Sequence, residues 1–278
     1  GLVSGRDFFV GYSPERIDPG NPTFGFVETP KVVSGAGQAA LERVQHFYDS
    51  MIETTVAVSG PKEAELAKLL ENTFRHVNIA LVNELAVFAH QREIDVWEAI
   101  EAASSKPFGF MKFTPGPGVG GHCLPIDPSY LSWQVKRQLG QNFKFVELAN
   151  EVNEHMPHYV FDRVVQLLNA EGKALSGSRI LLVGVAYKKD SGDIRESPSL
   201  KLIELLSSWG AEVAAVDPMV EPHDWPELAT AVELTDSEIA ASDVVVLLAP
   251  HSSIDLELLE TSDTPVLDTV AALEPDGS

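Results

Sequence analysis

The sequence has a single cysteine and no long apolar run. One cysteine among 278 residues can form neither an internal disulfide nor a zinc site built on several thiolates. No stretch approaches the roughly 18 consecutive apolar residues of a membrane-spanning helix, and the first residues lack a signal-peptide pattern. With 44% hydrophobic residues, these absences predict a cytoplasmic protein held together by a packed core.

Positive charge is also scarce. The chain has 20 Lys and Arg against 41 Asp and Glu, which gives a formal net charge of −21. Beyond Lys201 it has no Lys or Arg but 17 acidic residues. Nucleic acids and anionic membranes are bound through clustered cations, so neither is expected as a partner. An anionic ligand of the last segment must be held by the cations up to Lys201 or by backbone amides.

Hydrophobic periodicity divides the chain into three predicted segments, 1–60, 61–171 and 172–278. The first alternates short apolar runs, which predict strands at residues 7–12, 31–35 and 54–58, with turn residues. This is typical of parallel α/β structure, but three strands rarely make an independent doubly wound domain. The second opens at Pro61 with apolar residues every three or four positions, which predicts a helix of about 30 residues, followed by a shorter helix over residues 94–103. The third alternates strands and helices, which predicts a parallel sheet with helices on both faces. The expected fold class is α/β, with a central helical domain followed by a Rossmann-like domain.

The most informative stretch is rich in glycine and precedes the lone cysteine. Residues 115–128 read Pro-Gly-Pro-Gly-Val-Gly-Gly-His-Cys-Leu-Pro-Ile-Asp-Pro. Glycines let backbone amides approach a ligand closely, and a thiol can act as a nucleophile where its thiolate is stabilised. The alternative for Cys123 alone is an inert buried thiol.

This stretch resembles the active-site loop of the UDP-glucose/GDP-mannose dehydrogenase family, in the form found in the branch acting on UDP-N-acetylhexosamines. Three further blocks resemble the same family in the same order. They are Ser13-Pro14-Glu15-Arg16, Ala64-Glu65-Leu66-Ala67-Lys68-Leu69-Leu70-Glu71-Asn72, and the run from Gly184 to Ser197. Four ordered blocks are a specific signal, and together they cover nearly the whole chain.

The resemblance implies a four-electron oxidation of a sugar C6 alcohol to a carboxylate, with NAD as the cofactor. Cys123 would form a thiohemiacetal and then a thioester. Lys68 and Asn72, four apart on one helix face, would stabilise an oxyanion. By the same resemblance, Asp127 would act with the lysine and a water in proton transfer, and Glu15 in thioester hydrolysis.

Two of these candidates, Lys68 and Glu15, have simpler alternatives, and so does a catalytic role for His122. Lys68 lies between Glu65 and Glu71, so it could belong to a solvated face of ion pairs. Glu15 could merely brace its loop. His122 is adjacent to Cys123, but neighbouring side chains normally point apart, so a loop or sugar contact is expected rather than a Cys–His dyad.

Further residues are assigned to ligands by the resemblance. Lys188 belongs to the nucleotide-sugar site, and Arg195 lies near the NAD pyrophosphate or a domain interface; the alternative is surface charge that balances Asp190 and Asp193. Lys106 corresponds to a basic residue donated across a dimer, and the homodimer would form through the central helices. The other predicted substrate contacts are Phe113, Gly120 and Gly121.

The chain departs from the family pattern at two places. Asp268-Thr269-Val270-Ala271 stands where the family has Asp-Thr-Arg-Asn, and no Gly-x-Gly-x-x-Gly follows an N-terminal strand. With no starting Met, the expectation is the C-terminal two-thirds of a UDP-sugar 6-dehydrogenase, inactive alone, in which residues 1–60 close the NAD domain. The competing hypotheses are a UDP-glucose enzyme of the same family and a non-catalytic nucleotide-sugar-binding scaffold.

Overall fold

The structure is a computed structural model that describes residues 1–18, 23–121, 129, 132–133, 136–138 and 140–273. Two compact units are present, Gly1–Phe74 and Arg75–Ser278. A long helix contributes its first part to the first unit and the rest to the second.

The first unit contains a three-stranded sheet in the order β1-β2-β3 with one helix, α1, between the last two strands. The elements are β1 Gly11–Tyr12, β2 Lys31–Gly35, α1 Gln38–Asp49 and β3 Thr55–Ala57. Strands β2 and β3 are parallel and joined by α1, as predicted. Val33 is fully buried in the central strand, as is Ala40 on the helix that crosses over.

The first strand corrects the prediction of an all-parallel segment. β1 has two residues rather than the six expected from residues 7 to 12, and it pairs antiparallel with β2. A tight turn precedes it, because the Asp7 carboxylate accepts the N–H of Val3 at 2.8 Å and pairs with Arg6. That turn takes Asp7 out of the expected strand, and Phe8 forms only an isolated bridge to Ser4.

The central part of the chain is helical. The helices are α2 Pro61–Gln91, α3 Val96–Ser104 and α4 Lys144–Ala170. The 31 residues of α2 confirm the long helix expected from its periodicity. Helix α3 begins two residues later than predicted because Asp95 caps it, accepting the N–H of Trp97 at 2.8 Å.

The second unit contains a five-stranded parallel sheet in the order β6-β5-β4-β7-β8. Its strands are β4 Arg179–Val183, β5 Glu212–Val216, β6 Thr230–Ala231, β7 Val244–Leu247 and β8 Val266–Asp268. Its helices are α5 Pro198–Ser208, α6 Asp236–Ala240 and α7 Glu257–Glu260, with a 3₁₀ turn at Pro222–Asp224. Strand β6 and the two short helices were not predicted.

Both faces of this sheet are covered, as the near-continuous apolar strands predicted. Alternate residues point to opposite faces, so Ile180 and Leu182 join a core with residues of α4 and α5. Leu181 and Val183 face the other way, into a core that includes residues of α6 and α7. The α/β class with a helical centre and a Rossmann-like parallel sheet is confirmed.

The strand order reverses between β4 and β7, which lie side by side at the centre of the sheet. In open α/β sheets, ligands bind outside the carboxyl ends of the strands at this point. The long turn after β4 therefore starts at the position where a ligand is expected.

Candidate functional site

The glycine-rich loop is seated on the turn that follows β4. The N–H of Gly121 donates to the carbonyl of Arg195 at 2.9 Å. A Cβ at Gly120 would lie 2.6 Å from the Tyr187 Cβ and 2.7 Å from the Glu196 carbonyl oxygen. Gly121 has φ +84°, which is unfavourable for other residues. Only glycine permits this approach, so the loop and the turn form one surface.

That turn is fixed by a buried carboxylate at the end of β5. Asp217 Oδ2 accepts the N–H groups of Val185 at 2.7 Å and Ala186 at 2.8 Å, and it also contacts His251 Nε2 at 3.1 Å. Its other oxygen accepts the N–H of Met219 at 2.9 Å. Burial acts to raise the pKa of Asp217, but the bonds from His251 and these amides outweigh it and lower the pKa.

His251 links the carboxylate to the middle of the same turn. Its Nδ1 lies 2.9 Å from the N–H of Asp190, so Nδ1 accepts and the ring proton lies on Nε2, facing Asp217. Asp190 in turn accepts the N–H and the hydroxyl of Ser252, both at 2.7 Å. The turn is thus held at its beginning and at its middle.

Lys188 and Arg195 lie on this turn in different surroundings. Lys188 is half-buried, with Nζ 5.8 Å from the centroid of the Tyr187 ring. The Arg195 guanidinium is exposed and forms a bidentate pair with Asp193, with Nη2–Oδ2 at 2.6 Å. This agrees with the alternative in which the cation balances a neighbouring carboxylate; its contact with NAD stays a prediction.

In the first unit, the loop that carries Glu15 is tied to helix α2. Arg16 forms two hydrogen bonds to the Glu71 carboxylate, at 3.1 and 2.7 Å, and a third to the carbonyl of Pro30 at 2.5 Å. Glu71 directly precedes Asn72, and Lys68 is one turn earlier, both of them half-buried. The loop with Glu15 therefore lies beside the helical turn of the two predicted oxyanion-stabilising residues.

Both carboxylate oxygens of Glu15 have partners. Its Oε1 accepts the N–H groups of Arg16 and Ile17 at 2.8 Å each, and its Oε2 pairs with Lys31 at 3.3 Å. Burial acts to raise the pKa of Glu15, but the N–H of Ile17, the Lys31 charge and the N–H of Arg16 outweigh it and lower the pKa. Lys31 is almost fully buried, with its ammonium 5.5 Å from the Tyr48 ring centroid.

The structure gives fewer contacts for the remaining predicted site residues. Lys106 is exposed, with Nζ 4.9 Å from the ring centroid of the exposed Phe108, while Phe113 is half-buried. Cys123 and Asp127 lie outside the described residues, as does His122. The described residues hold no group of three or more His, Cys, Asp or Glu side chains suited to a metal ion. Among them, no helix has the length and apolar character needed to cross a bilayer.

Sequence reasoning missed a group of buried polar side chains between α2 and α4. Asn83 and Asn153 are hydrogen-bonded at 2.9 Å, and His76 is 2.7 Å from Asn150. Asn83 also accepts the N–H of Gly116, the second residue of the glycine-rich loop, at 2.9 Å. The available signal was a polar residue within an otherwise apolar helical run, as at Asn83.

Two sequence models of one family match the chain in order. The central domain of the UDP-glucose/GDP-mannose dehydrogenase family matches residues 62–155, and its UDP binding domain matches residues 181–275. The chain belongs to this family. The second match coincides with the parallel sheet that carries the Lys188 turn.

Individual members of the family agree with this assignment. The chain is 37% identical to UDP-N-acetyl-D-mannosamine dehydrogenase of Pyrococcus horikoshii, over 87% of this chain and 57% of the relative. It is 36% identical to protein CapL of Staphylococcus aureus, over 90% of this chain and 59% of the relative. The structure of an NDP-N-acetyl-D-galactosaminuronic acid dehydrogenase from Methanosarcina mazei superposes with a TM-score of 0.85 at 29% identity, covering 99% of this chain and 61% of that one. The chain therefore spans less than two thirds of these family members.

The 278 residues contain no complete dinucleotide fingerprint of a Rossmann domain. Residues 116–121 have the Gly-x-Gly-x-x-Gly spacing, but no strand precedes them within residues 105–115. The turn between β2 and α1 has Gly35, Gly37 and Ala40, yet Ser59 stands after β3, where the fingerprint places an acidic residue for the ribose. Together with Arg195, which is paired to Asp193, these residues supply at most part of an NAD site.

Proposed function

We propose that the chain binds a UDP-sugar and supplies much of the active site of an NAD-dependent UDP-sugar 6-dehydrogenase. The observation that carries the proposal is the contact of the glycine-rich loop with the turn after β4. The loop leads directly in sequence to Cys123, and the turn carries Lys188 at the ligand-binding edge of the matched UDP binding domain. The loop that precedes the proposed nucleophile in sequence is thereby joined by a hydrogen bond and close contacts to the turn of the proposed nucleotide-sugar site.

The proposed substrate is a UDP-N-acetylhexosamine, specifically UDP-N-acetylmannosamine. Support comes from the name of the Pyrococcus horikoshii relative and from the Gly-Pro-Gly-Val-Gly-Gly-His-Cys form of the loop. UDP-glucose is the competing substrate within the same family. The cytoplasmic location stays a prediction.

The chain's own residues contribute nucleophilic and electrostatic chemistry in this proposal. Cys123 adds to the sugar C6 carbon at the aldehyde level, and Lys68 with Asn72 stabilises the oxyanion that this addition creates. Asp127 moves a proton with a bound water. NAD, when bound, accepts the hydrides of the oxidation.

Glu15 suits the hydrolysis of a thioester in one respect. Its lowered pKa keeps it a carboxylate at neutral pH, so it can orient a water and accept its proton. Lys31 reduces its basicity, which makes the residue a hydrogen-bond acceptor first and a weak base second.

The proposed homodimer rests on a stripe of exposed apolar side chains along α2. Its members are large exposed side chains at three-, four- and seven-residue spacing, which brings them to one helix face. They are Leu66, Leu70, Phe74, Leu81, Leu85 and Phe88. Light scattering should give twice the chain mass, and Leu81→Glu should reduce it to the monomer, while Leu228→Glu, an exposed leucine outside the helix, should not. A wild-type monomer would refute the dimer.

The activity test uses the protein as its gene encodes it, with NAD and UDP-N-acetylmannosamine, UDP-N-acetylglucosamine or UDP-glucose in turn. NADH should form at two equivalents per sugar with the first substrate. Cys123→Ala should abolish turnover, and Ser50→Ala, an exposed residue of the first unit, should retain it. The proposal is refuted if none of the three UDP-sugars yields NADH, or if Cys123→Ala keeps full activity.

A scaffold that binds nucleotide sugars without oxidising them is the second candidate. The observation that favours it is Val270, which packs against an apolar core at the position of the family's arginine. The Asp268 carboxylate still accepts the N–H groups of Val270, Ala272 and Leu273 at 2.7–2.9 Å, so the backbone there is well organised without that cation. Binding of UDP with no NADH from any UDP-sugar would select the scaffold.

A further inference from the structure

A continuous chain of hydrogen bonds runs through the buried side chains between α2 and α4. Asn83 is fully buried, and His76 and Asn153 are nearly so. Asn83 Nδ2 donates to Asn153 Oδ1 at 2.9 Å, Asn153 Nδ2 lies 3.4 Å from His76 Nδ1, and His76 Nε2 lies 2.7 Å from Asn150 Oδ1. These four side chains are called the amide–imidazole chain below.

The amide–imidazole chain has a single direction. Asn150 Nδ2 donates to Ser129 Oγ at 2.9 Å, so Asn150 Oδ1 is left to accept the N–H of His76 Nε2. Nδ1 of the neutral ring is then the acceptor for Asn153. At the other end, the N–H of Gly116 donates to Asn83 Oδ1. Asn153 Nδ2 also donates to the carbonyl of His76 at 3.3 Å. The side-chain bonds from Gly116 to Ser129 thus all run in one direction, which is the arrangement in which a buried polar network specifies one geometry.

The two ends of the amide–imidazole chain lie on either side of the predicted nucleophile. Gly116 precedes Cys123 by seven residues in sequence, and Ser129 follows it by six. Both are anchored to the same rigid pair of helices, Gly116 through Asn83 of α2 and Ser129 through Asn150 of α4. A change in one member therefore loosens one or both of the two points that flank Cys123 and Asp127 in sequence.

We propose that His76, Asn83, Asn150 and Asn153 are positioning residues for the catalytic segment between Gly116 and Ser129. None of them is assigned chemistry with the substrate. They fix the two ends of the segment that carries the thiol, Gly116 and Ser129, and we call this pair of attachments the clamp. The catalytic part of this proposal rests on the proposed function of Cys123. The clamp itself is a property of the hydrogen bonds and can be tested separately.

The function of the clamp explains a choice of residues that packing alone does not. Apolar side chains of similar size would join two helices without the cost of burying amides and an imidazole. Apolar contacts, however, tolerate small displacements, whereas a fully satisfied polar chain is lost when one member moves. Exact placement of a reacting group is where that intolerance is useful.

Because Cys123 is the only cysteine, thiol chemistry in the 278-residue chain reports on this segment without background. The variants are His76→Leu, which removes a donor and an acceptor, and His76→Gln, which supplies both again. Asn150→Ala, at a half-buried position, removes the bond to Ser129 and the acceptor of His76 Nε2, and it leaves the bond between Asn83 and Gly116 in place. Asn169→Ala, an exposed asparagine of α4, is the matched control.

Two measurements are made on each variant that melts as a folded protein. Hydrogen exchange of the peptides that contain Gly116 and Ser129 should be about tenfold or more faster in His76→Leu, since these segments lose their clamp. In Asn150→Ala only the Ser129 peptide should speed up. The pH dependence of Cys123 alkylation by iodoacetamide gives the apparent pKa of the thiol. In His76→Leu this pKa should move towards that of a free thiol, about 8.5. His76→Gln and Asn169→Ala should match wild type in both.

Each outcome decides one part of the proposal. Unchanged exchange in folded His76→Leu, or an equal rise in Asn169→Ala, overturns the clamp. If His76→Leu fails to fold, Asn150→Ala decides. An equal rise in hydrogen exchange in the Gly116 and Ser129 peptides, or no rise in either, overturns the clamp. A wild-type thiol that already titrates as a free thiol contradicts the proposed role of Cys123, while the exchange data still test the clamp.

Discussion

The side chains of Asp217 and His251, both without exposed surface, are joined by a hydrogen bond of 3.1 Å. Asp217 follows β5 and His251 comes after β7, the two strands on either side of β4, and the side chains meet under the turn after β4. Together they receive the N–H groups of Val185, Ala186 and Asp190. The conformation of the turn with Lys188 is therefore set from below, by side chains that themselves need not touch a ligand.

Replacement of Asp217 by Asn should destabilise the second unit. An amide nitrogen in place of either carboxylate oxygen would face N–H donors and leave at least one of them unpaired in the interior. A buried unpaired donor costs about 1–3 kcal/mol. We expect urea unfolding to report a loss of about 1–3 kcal/mol, because the amide can keep its oxygen where three donors converge and then leaves the N–H of Met219 unpaired. Asp255→Asn, at an exposed position of the same unit, is the control; equal stability of the two variants would contradict the role of Asp217.

The glycine-rich loop offers a matched pair of substitutions. Gly120→Ala places a methyl group 2.6 Å from the Tyr187 Cβ and 2.7 Å from a backbone oxygen, so the loop must leave the turn. Gly116→Ala meets no atom within 4 Å and keeps the N–H that Asn83 accepts. Gly120→Ala should therefore reduce turnover by about tenfold or more, corresponding to roughly 1.4 kcal/mol, and Gly116→Ala should leave it within twofold. Similar activities in a steady-state NADH assay would show that this close approach is not required.

How far the sequence could predict the structure depends on the range of the interactions. Helix α2 and strand β4 were predictable because their apolar residues repeat over many positions. Strand β6, with two residues, has no such repeat and was missed. The domain boundaries and the catalytic roles stay predictions.

The candidate site was predictable only where its residues form local blocks. Lys188 and the glycines could be recognised from their neighbours in sequence. Asn83 pairs with Asn153, 70 positions away, and the apolar residues around Asn83 indicate that it is buried but not which side chain it contacts. The side chains that touch a ligand are thus easier to predict than those that hold the loop in place.

The Arg16–Glu71 pair should contribute measurable coupling. It is bidentate and partly shielded, with exposed side-chain fractions of 22% and 44%. A double-mutant cycle with Arg16→Ala and Glu71→Ala should give about 0.5–1 kcal/mol, since solvent screens the more exposed carboxylate. The same cycle on the more exposed pair Lys201 and Glu204 should show no measurable coupling. Absent coupling between Arg16 and Glu71 would mean that the Glu15 loop is not anchored to α2 by this contact.

His76 should make stability depend on pH. Burial lowers its pKa, and the hydrogen bond to Asn150 and the charge of Glu154 offset this only in part. Between the lowered folded pKa and the unfolded value near about 6.5, the unfolded state binds more protons. Stability from this residue is therefore complete above about pH 6.5 and falls as the pH decreases through that window, by at most about 1.4 kcal/mol per pH unit.

The measurement is urea unfolding of wild type and His76→Gln from pH 7.5 to 5. The free energy of unfolding of wild type minus that of His76→Gln should decrease as the pH falls. Glutamine retains the hydrogen bonds and has no proton to gain, so only the wild type is destabilised through this position. Since all other titrating groups are common to both proteins, they cancel in that difference. A difference that stays constant over the range would mean that His76 is protonated as readily in the folded chain as in the unfolded one, which its neutral place between Asn153 and Asn150 does not allow.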